Sequence, residues 1–280
     1  MAYGFDTVVQ ISNSDILNHI LSHVPNSPIS FIGRYLGNDY NVPSPYQKQL
    51  TWQEIQVISS ANIKIVSLWQ SSGSDMSYFT DQSGSNDAQH AIARAEYLAQ
   101  PNNTPIYFAV DSDPTQADLQ SNISDYFASV SSILGNAAMN PNSYKLGIYG
   151  SCSTCTYFKA LYPTAYTMLA NPHGTFNNYN IIQSHHIEVP ATTINNNYIP
   201  AINIDPDQSS GNSYGGWKHT THKYSLWSNY GNAVNHRRRC FICGHYQYQY
   251  HVPNNAGNKC TVCGYTGTIV IPTNSVNDEE

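Results

Sequence analysis

Short apolar runs alternate with stretches of helical period along the first three quarters of the chain. The clearest run is Pro105–Val110, which is wholly apolar or aromatic and leads directly into Asp111-Ser112-Asp113. A run with no polar interruption predicts a strand buried on both faces, as in a parallel sheet. Carboxylates just past such a strand stand where barrel and open α/β enzymes keep their chemistry.

The same alternation is legible on either side. Residues 3–6 read as a first strand that delivers Asp6. A helix over 14–24 follows, with Ser14 at its N-cap. Residues 29–36 form a second strand ending in Gly33-Arg34-Tyr35. Thr51-x-x-Glu54 has the capping-box pattern and opens a helix carrying Ile55, Ile58 and Ala61. A third strand over 63–70 ends in Trp69-Gln70. Ala88, Ala91, Ile92, Ala95, Leu98 and Ala99 then make a helical stripe over 86–99. Thr115-x-x-Asp118 is a second capping box, opening a helix with Leu119, Ile123, Tyr126, Phe127, Val130 and Ile133 on one face. With Thr115 as cap, neither Asp111 nor Asp113 is needed for that task. Strand five spans 144–150 and is followed by a helix through Leu161. Residues 165–170, 179–183 and 199–204 are strands six to eight, the last leading into Asp205. The connections between strands six and eight are rich in Asn, Pro and His and predict no helix. Eight strands, with helices after the first five, predict a (β/α)8 TIM-type barrel.

Composition adjusts this picture in three ways. Charged residues make up only 11% of the 280 residues, so Asn, Ser, Thr, Gln and 22 tyrosines must carry the polar surface. Tyrosine offers both a ring face and a hydroxyl, which suits carbohydrate. The net charge of −6 argues against a nucleic-acid footprint over the whole chain, and Arg237-Arg238-Arg239 reads as a solvated turn. No apolar stretch is long enough for a membrane span, and the first residues show no basic and apolar signal-peptide pattern.

In a barrel the carboxyl ends of the strands meet on one face. That brings together Asp6, Arg34, Gln70, Asp111, Asp113, Tyr149, Gln183 and Asp205, with Tyr35, Trp69, Tyr107 and Tyr149 as rings for sugar contact. Several acids in one mouth of low dielectric cannot all ionise cheaply, so one is expected to carry a raised pKa. A proton donor and a second carboxylate are what hydrolysis of a glycosidic bond requires.

Residues 3–217 resemble the glycoside-hydrolase-like domain of unknown function 1906, related to the family 25 lysozymes. The resemblance is carried by Gly4-Phe5-Asp6-Thr7, Arg34-Tyr35, Leu50-Thr51-x-x-Glu54, Gly84-x-x-Asp87-Ala88, Ile106–Asp113, Leu146–Gly150 and Ile204-Asp205. It implies a barrel that cleaves bacterial cell-wall glycan, with Asp113 as acid and Asp111 and Asp6 beside it. Arg34, Tyr35, Trp69, Gln70, Tyr107, Tyr149, Gln183 and Asp205 are the expected substrate contacts. Family 25 lysozymes end the fourth strand in Asp-x-Glu; here Asp113 replaces the Glu, setting the carboxyl back by about 1.5 Å where ~1 Å matters. A glycan- or wall-binding barrel without hydrolysis is the alternative expectation. Either reading implies an extracellular or wall-associated protein.

The composition turns to Gly and Ser at 211–216, which places a boundary between a barrel over 1–215 and a small domain over 216–280. The small domain carries Cys240-x2-Cys243 and Cys260-x2-Cys263, with Gly244 and Gly264 following each pair. This is the spacing of a structural zinc site closed by four thiolates, which would largely fold so small a segment. Two disulfides are the alternative. His236, His245 and His251 lie nearby as substitute ligands, most of them expected at the surface. The segment resembles zinc-ribbon-like β modules appended to wall and extracellular proteins of Gram-positive bacteria, which implies a wall or protein partner. Cys152 and Cys155, at a helix start, are expected as two free thiols. His185-His186 reads as loop.

Overall fold

The computed structural model describes residues 1–37, 48–72, 75–170, 174–219, 224–229, 231, 233–240 and 246–269. It contains two compact units, Met1–Thr221 and His222–Glu280.

The first unit is a TIM-type barrel. Strands β1 (Tyr3–Asp6), β2 (Ile29–Tyr35), β3 (Lys64–Trp69), β4 (Pro105–Val110), β5 (Lys145–Gly150), β6 (Tyr166–Leu169) and β7 (Ile181–Gln183) run parallel in chain order. Helices α1 (Ser14–Leu21), α2 (Trp52–Ser60), α3 (Asp81–Tyr97), α4 (Gln116–Gln120), α5 (Asn122–Gly135) and α6 (Cys152–Leu161) follow the first five strands. Between strand seven and the closing strand the chain forms no helix. It makes instead the short strands β8 (Ile187–Val189), β9 (Thr192–Ile194) and β10 (Asn197–Ile199). Asn195 and Asn196, both at positive φ, turn the β9–β10 hairpin.

The closing strand, β11 (Ile202–Ser209), differs from the expected eighth strand in place and direction. It contains Asp205 and Asp207 rather than ending before them, and it pairs antiparallel with both β1 and β7. Reversal puts the early part of β11 at the mouth, so Asp205 reaches the same end as Asp6, its register partner.

Local chemistry explains the elements. Glu54 completes the capping box at Thr51, and Thr115 does so with Asp118. Thr80 caps α3, which therefore starts earlier than its alanine stripe suggested. Gly84 and Asp87 serve packing. A Cβ at Gly84 would stand 2.3 Å from the Tyr126 carbonyl oxygen, so only glycine lets α3 approach α5 there. The Asp87 carboxylate accepts from Ser71 Oγ at 2.9 Å, Tyr78 at 2.8 Å and Tyr126 at 2.8 Å.

The barrel interior is filled by Phe31, Val66, Leu68, Tyr107, Met168 and Ile181, among others. The end opposite the mouth is closed by residues 214–217. Trp217 pairs with Ile65 and its indole donates to Ser67 Oγ at 2.9 Å, and the Tyr214 carbonyl accepts from Tyr107 at 2.9 Å.

Arg34 and Glu54 form a fully buried ion pair at 2.8 Å. The guanidinium also donates to the carbonyls of Thr7 and, at 3.0 Å, Lys48. Glu54 accepts from the Ile11 N–H at 3.0 Å and from Thr51 N–H at 3.0 Å. Removing one partner strands a buried charge, so Glu54→Gln is expected to cost about 3–5 kcal/mol. Urea unfolding measures this; a loss under ~1 kcal/mol would show that the pair is dispensable.

Candidate functional site

Strand alternation decides which residues meet in the mouth. Successive side chains point to opposite sides of a strand. Asp6, Tyr35, Gln70, Asp111, Tyr149, Gln183 and Asp205 are directed to the barrel axis at its carboxyl end. Gly33 belongs to the same inward set, and a Cβ there would lie 2.6 Å from the Asp6 Cβ, so glycine makes room for the acid.

The sequence-based assignment of Arg34, Trp69 and Tyr107 to substrate contact is corrected by this alternation. Arg34 and Trp69 each sit one residue out of phase with the mouth, facing the helices. Arg34 is committed to Glu54, and Trp69 packs near His90 of α3, with ring centroids 6.5 Å apart. Tyr107 is inward but lies two layers below Asp111, where its hydroxyl bonds the closed end. The rings of Tyr35 and Tyr149 are buried too, so these residues bring hydroxyls, not stacking faces, to the site.

Two hydrogen-bonded arms result. In one, Gln183 Nε2 donates to Asp6 Oδ2 at 2.8 Å and to the Tyr149 hydroxyl at 3.1 Å, while the Tyr35 hydroxyl reaches Asp6 Oδ1 at 3.4 Å. In the other, Gln70 Nε2 donates to Asp111 Oδ2 at 3.1 Å, and Lys48 Nζ donates to Gln70 Oε1 at 2.7 Å. The Lys48 ammonium also sits 4.4 Å above the Tyr35 ring. Lys48 is a buried cation one amide away from Asp111. Sequence reading missed it because no strand or motif leads to it.

The carboxyls divide sharply by environment. Asp111 and Asp113 are exposed, whereas Asp6 and Asp207 are buried. Burial pushes Asp6 up to about 8, with Asp205 and Asp111 adding repulsion against the lowering bonds from Gln183 and Tyr35. The raised pKa expected at the mouth is thus found at Asp6. Asp205 is also raised, by burial and then Asp111, with His186 opposing. His185-His186 is loop as expected, yet its second histidine faces the site. Asp207 was passed over because it lies inside the closing strand. Its register opposite Gly4 and Gln183 directs it inward below Asp6, and burial pushes it far above the carboxylate range.

Cys152 and Cys155 are free thiols. Burial raises both, and Asp113 contributes at Cys152, so the helix start produces no activated thiolate.

In the second unit two of the four expected cysteines converge with two histidines. Among the described residues, donor atoms of His236, His251, Cys260 and Cys263 lie within 4.8 Å of one another. Cys240 is buried outside this group, and Cys243, Gly244 and His245 lie outside the described residues. His236 and His251 are buried rather than at the surface. Cys260 Sγ stands 3.4 Å from His236 Nδ1, and Cys263 Sγ stands 3.4 Å from His251 Nδ1. A tetrahedral metal with ordinary bond lengths separates S and N ligands by roughly 3.5 Å. Gly264, at φ +72°, closes the turn after Cys263 as the sequence required. Burial pushes the Cys260 thiol up, but N–H groups of Cys263 and Val262 outweigh it and bring it to about 5. A thiolate held by amide donors is a metal ligand in waiting. The chemistry of the donor set therefore fits a metal ion, which two thiolates and two imidazoles would hold.

Two outcomes are expected. Asp6 is raised above its unfolded value of 3.8, so its contribution to stability is full below about pH 4 and lost as pH rises through about 8. Asp6→Asn should therefore gain stability relative to the parent as pH rises, read as the difference in Tm from pH 4 to 9. A difference flat across that range refutes the buried neutral acid. Purified protein should also bind about one metal ion per chain, lost on His236→Ala or Cys263→Ala. Loss on Cys240→Ser with retention on His236→Ala would return the ligand set to the four cysteines.

Comparison with known proteins agrees with this architecture. Two Bacillus subtilis (strain 168) proteins, both uncharacterized, share parts of the chain. YbfG is 32% identical over 149 residues, covering 52% of this chain and 20% of its own. FadG is 34% identical over 125 residues, covering 45% and 21%. The chain thus spans about a fifth of the length of these curated relatives. The crystal structure of the Mycobacterium tuberculosis Tat-secreted protein Rv2525c superposes with a TM-score of 0.58 at 16% identity, covering 77% of this chain and 98% of that one, and so shares the fold. The sequence profile of the Rv2525c-like, glycoside hydrolase-like domain matches residues 22–235, more than half of the chain, and the protein belongs to that family.

Proposed function

We propose that the barrel hydrolyses a bacterial cell-wall glycan at its mouth. The observation that carries this reading is the contrast between carboxyls at one end of the barrel. Asp111 is exposed and aimed by Gln70, above Asp6, which is held neutral to about pH 8. Carboxyl groups driven to different protonation states by their surroundings are the working arrangement of glycoside hydrolysis. Asp111 and Asp113 meet the sugar. Asp113 gives its proton to the glycosidic oxygen as the bond from that oxygen to the anomeric carbon breaks, and Asp111 stabilises the positive charge that develops on the ring; water then adds to that carbon and its proton returns to Asp113. Asp6 acts from below as a neutral positioning group, keeping a second negative charge away from Asp111. The family's glycoside hydrolase-like description and the resemblance to family 25 lysozymes support glycan as substrate.

A second reading, glycan binding without cleavage, is favoured by one feature: Asp113 stands where the related lysozymes carry Glu. In either case the protein acts outside the cell, in line with the Tat-secreted Rv2525c, and the small unit holds zinc. The ligand types of the Cys/His group, two thiolates with two imidazoles, suit zinc in a closed structural site.

Release of reducing ends from purified walls tests hydrolysis. Asp111→Asn is expected to lower the rate by about 10²–10⁴-fold. Asp113→Glu, which restores the longer acid, is expected to raise it. The rate should fall as pH rises through about 8, as Asp6 loses its proton. Binding to walls with no release from any variant across that pH range would establish the second reading.

A further inference from the structure

The run Arg237-Arg238-Arg239 is not a turn. It lies in β12 (Asn235–Arg239), which pairs antiparallel with β13 (Tyr246–Tyr250). Partners in register share one face of a two-stranded sheet. Arg239 opposes Tyr246, Arg237 opposes Tyr248 and Asn235 opposes Tyr250. One face therefore alternates guanidinium and phenol. His236 turns to the other face and is buried in the Cys/His group. The hairpin thus has an inner side tied to the metal ligands and an outer ladder of Arg and Tyr.

Three facts define that ladder. Tyr246, Tyr248 and Tyr250 are 37%, 50% and 38% exposed, high for a row of large aromatics. The Arg237 guanidinium lies 4.4 Å from the Tyr246 ring centre and that of Arg239 lies 5.8 Å from it, while the Tyr246 and Tyr248 rings stand 6.3 Å apart. The sequence holds no Asp or Glu between Asp207 and Asp278, although Lys218, Lys223, the three arginines and Lys259 fall in that interval. The charge is one-sided in a chain that is acidic overall.

We infer that this face binds a phosphodiester polymer of the bacterial wall, an inference that rests on the wall-directed reading of the barrel. Guanidinium is the side chain best matched to phosphate, through paired N–H donors in a planar fork. Stacking on tyrosine fixes the plane of the fork and lowers the entropy lost on binding. The same stacking takes the Tyr246 face away from a single-stranded nucleic acid. Such ligands draw affinity from bases laid on open aromatic faces, and here guanidinium already covers the Tyr246 face. A polyol or sugar phosphate needs no such face; its hydroxyls meet the exposed phenol groups instead.

The test is sedimentation of the full chain with walls of a Gram-positive bacterium, before and after hydrofluoric acid removes their phosphodiester polymers. Binding to intact walls is expected to be at least about tenfold tighter than to stripped walls, and to weaken steeply with salt. Long-chain inorganic polyphosphate should compete. Arg237→Gln/Arg239→Gln should bring intact walls to the stripped level with metal content unchanged. Should the double variant lose its metal, Arg239→Gln alone, at the exposed end, supplies the comparison. Arg238 is left in place because it stacks on Tyr224 and Trp227 at 4.5 and 4.6 Å and so supports the unit. Equal binding to both wall preparations, or tighter binding of an oligothymidylate of matched charge, overturns the inference. Reducing-end release from stripped walls is read separately, so failure of the barrel reading and failure of this one are distinguishable.

Discussion

The ion pair between Arg34 and Glu54 is the constraint on which the mouth depends. Both groups are fully buried, and such burial persists only when the polar atoms are paired. Here each guanidinium nitrogen and each carboxylate oxygen has a partner. The guanidinium binds Glu54 and the carbonyls of Thr7 and Lys48. Glu54 in turn caps α2 and holds the Ile11 N–H. One interaction thereby fixes the chain just past β1, the end of β2, the return at Lys48 and the start of α2. Those are the elements that bring Asp6, Tyr35 and Lys48 together. Arg34 serves the site from the outside of the barrel, one residue out of phase with Tyr35, which faces in.

Within the mouth, the environment rather than residue type assigns the roles. Five aspartates belong to or border one end of the barrel. Those on the loop after β4 stay in water. Those on β1 and β11 lie in the low-dielectric interior, where repulsion among Asp6, Asp205 and Asp207 adds to desolvation. The reversed closing strand causes this crowding, because its antiparallel register sets Asp205 directly opposite Asp6.

The small unit follows a different rule. It has little apolar area to bury, and two His and two Cys side chains converge on one point. The β12–β13 hairpin gives His236 to that point and turns arginine and tyrosine away from it. Period-2 alternation does here what it does in the barrel, separating side chains committed to the fold from those on the opposite face.

The sequence by itself determined the first seven strands, the capping boxes at Thr51 and Thr115, the barrel class and the placing of Asp6 and Asp111 at one end. These rest on local patterns, namely apolar runs, cap spacing and strand ends. It also contained the information that excludes Arg34 and Trp69 from the mouth, since each is adjacent to an inward residue and strands alternate. What only the tertiary structure decided were the features set by long-range pairing. The reversal of β11 made Asp207 a buried acid and Asp205 the neighbour of Asp6. The depth of Tyr107 depends on where residues 214–217 close the barrel. Lys48 enters through the Arg34 contact. His236 and His251 join Cys260 and Cys263 only because a hairpin folds them there. Local spacing cannot encode such neighbours, because the residues that make them stand far apart in the chain and meet only when the sheet is closed.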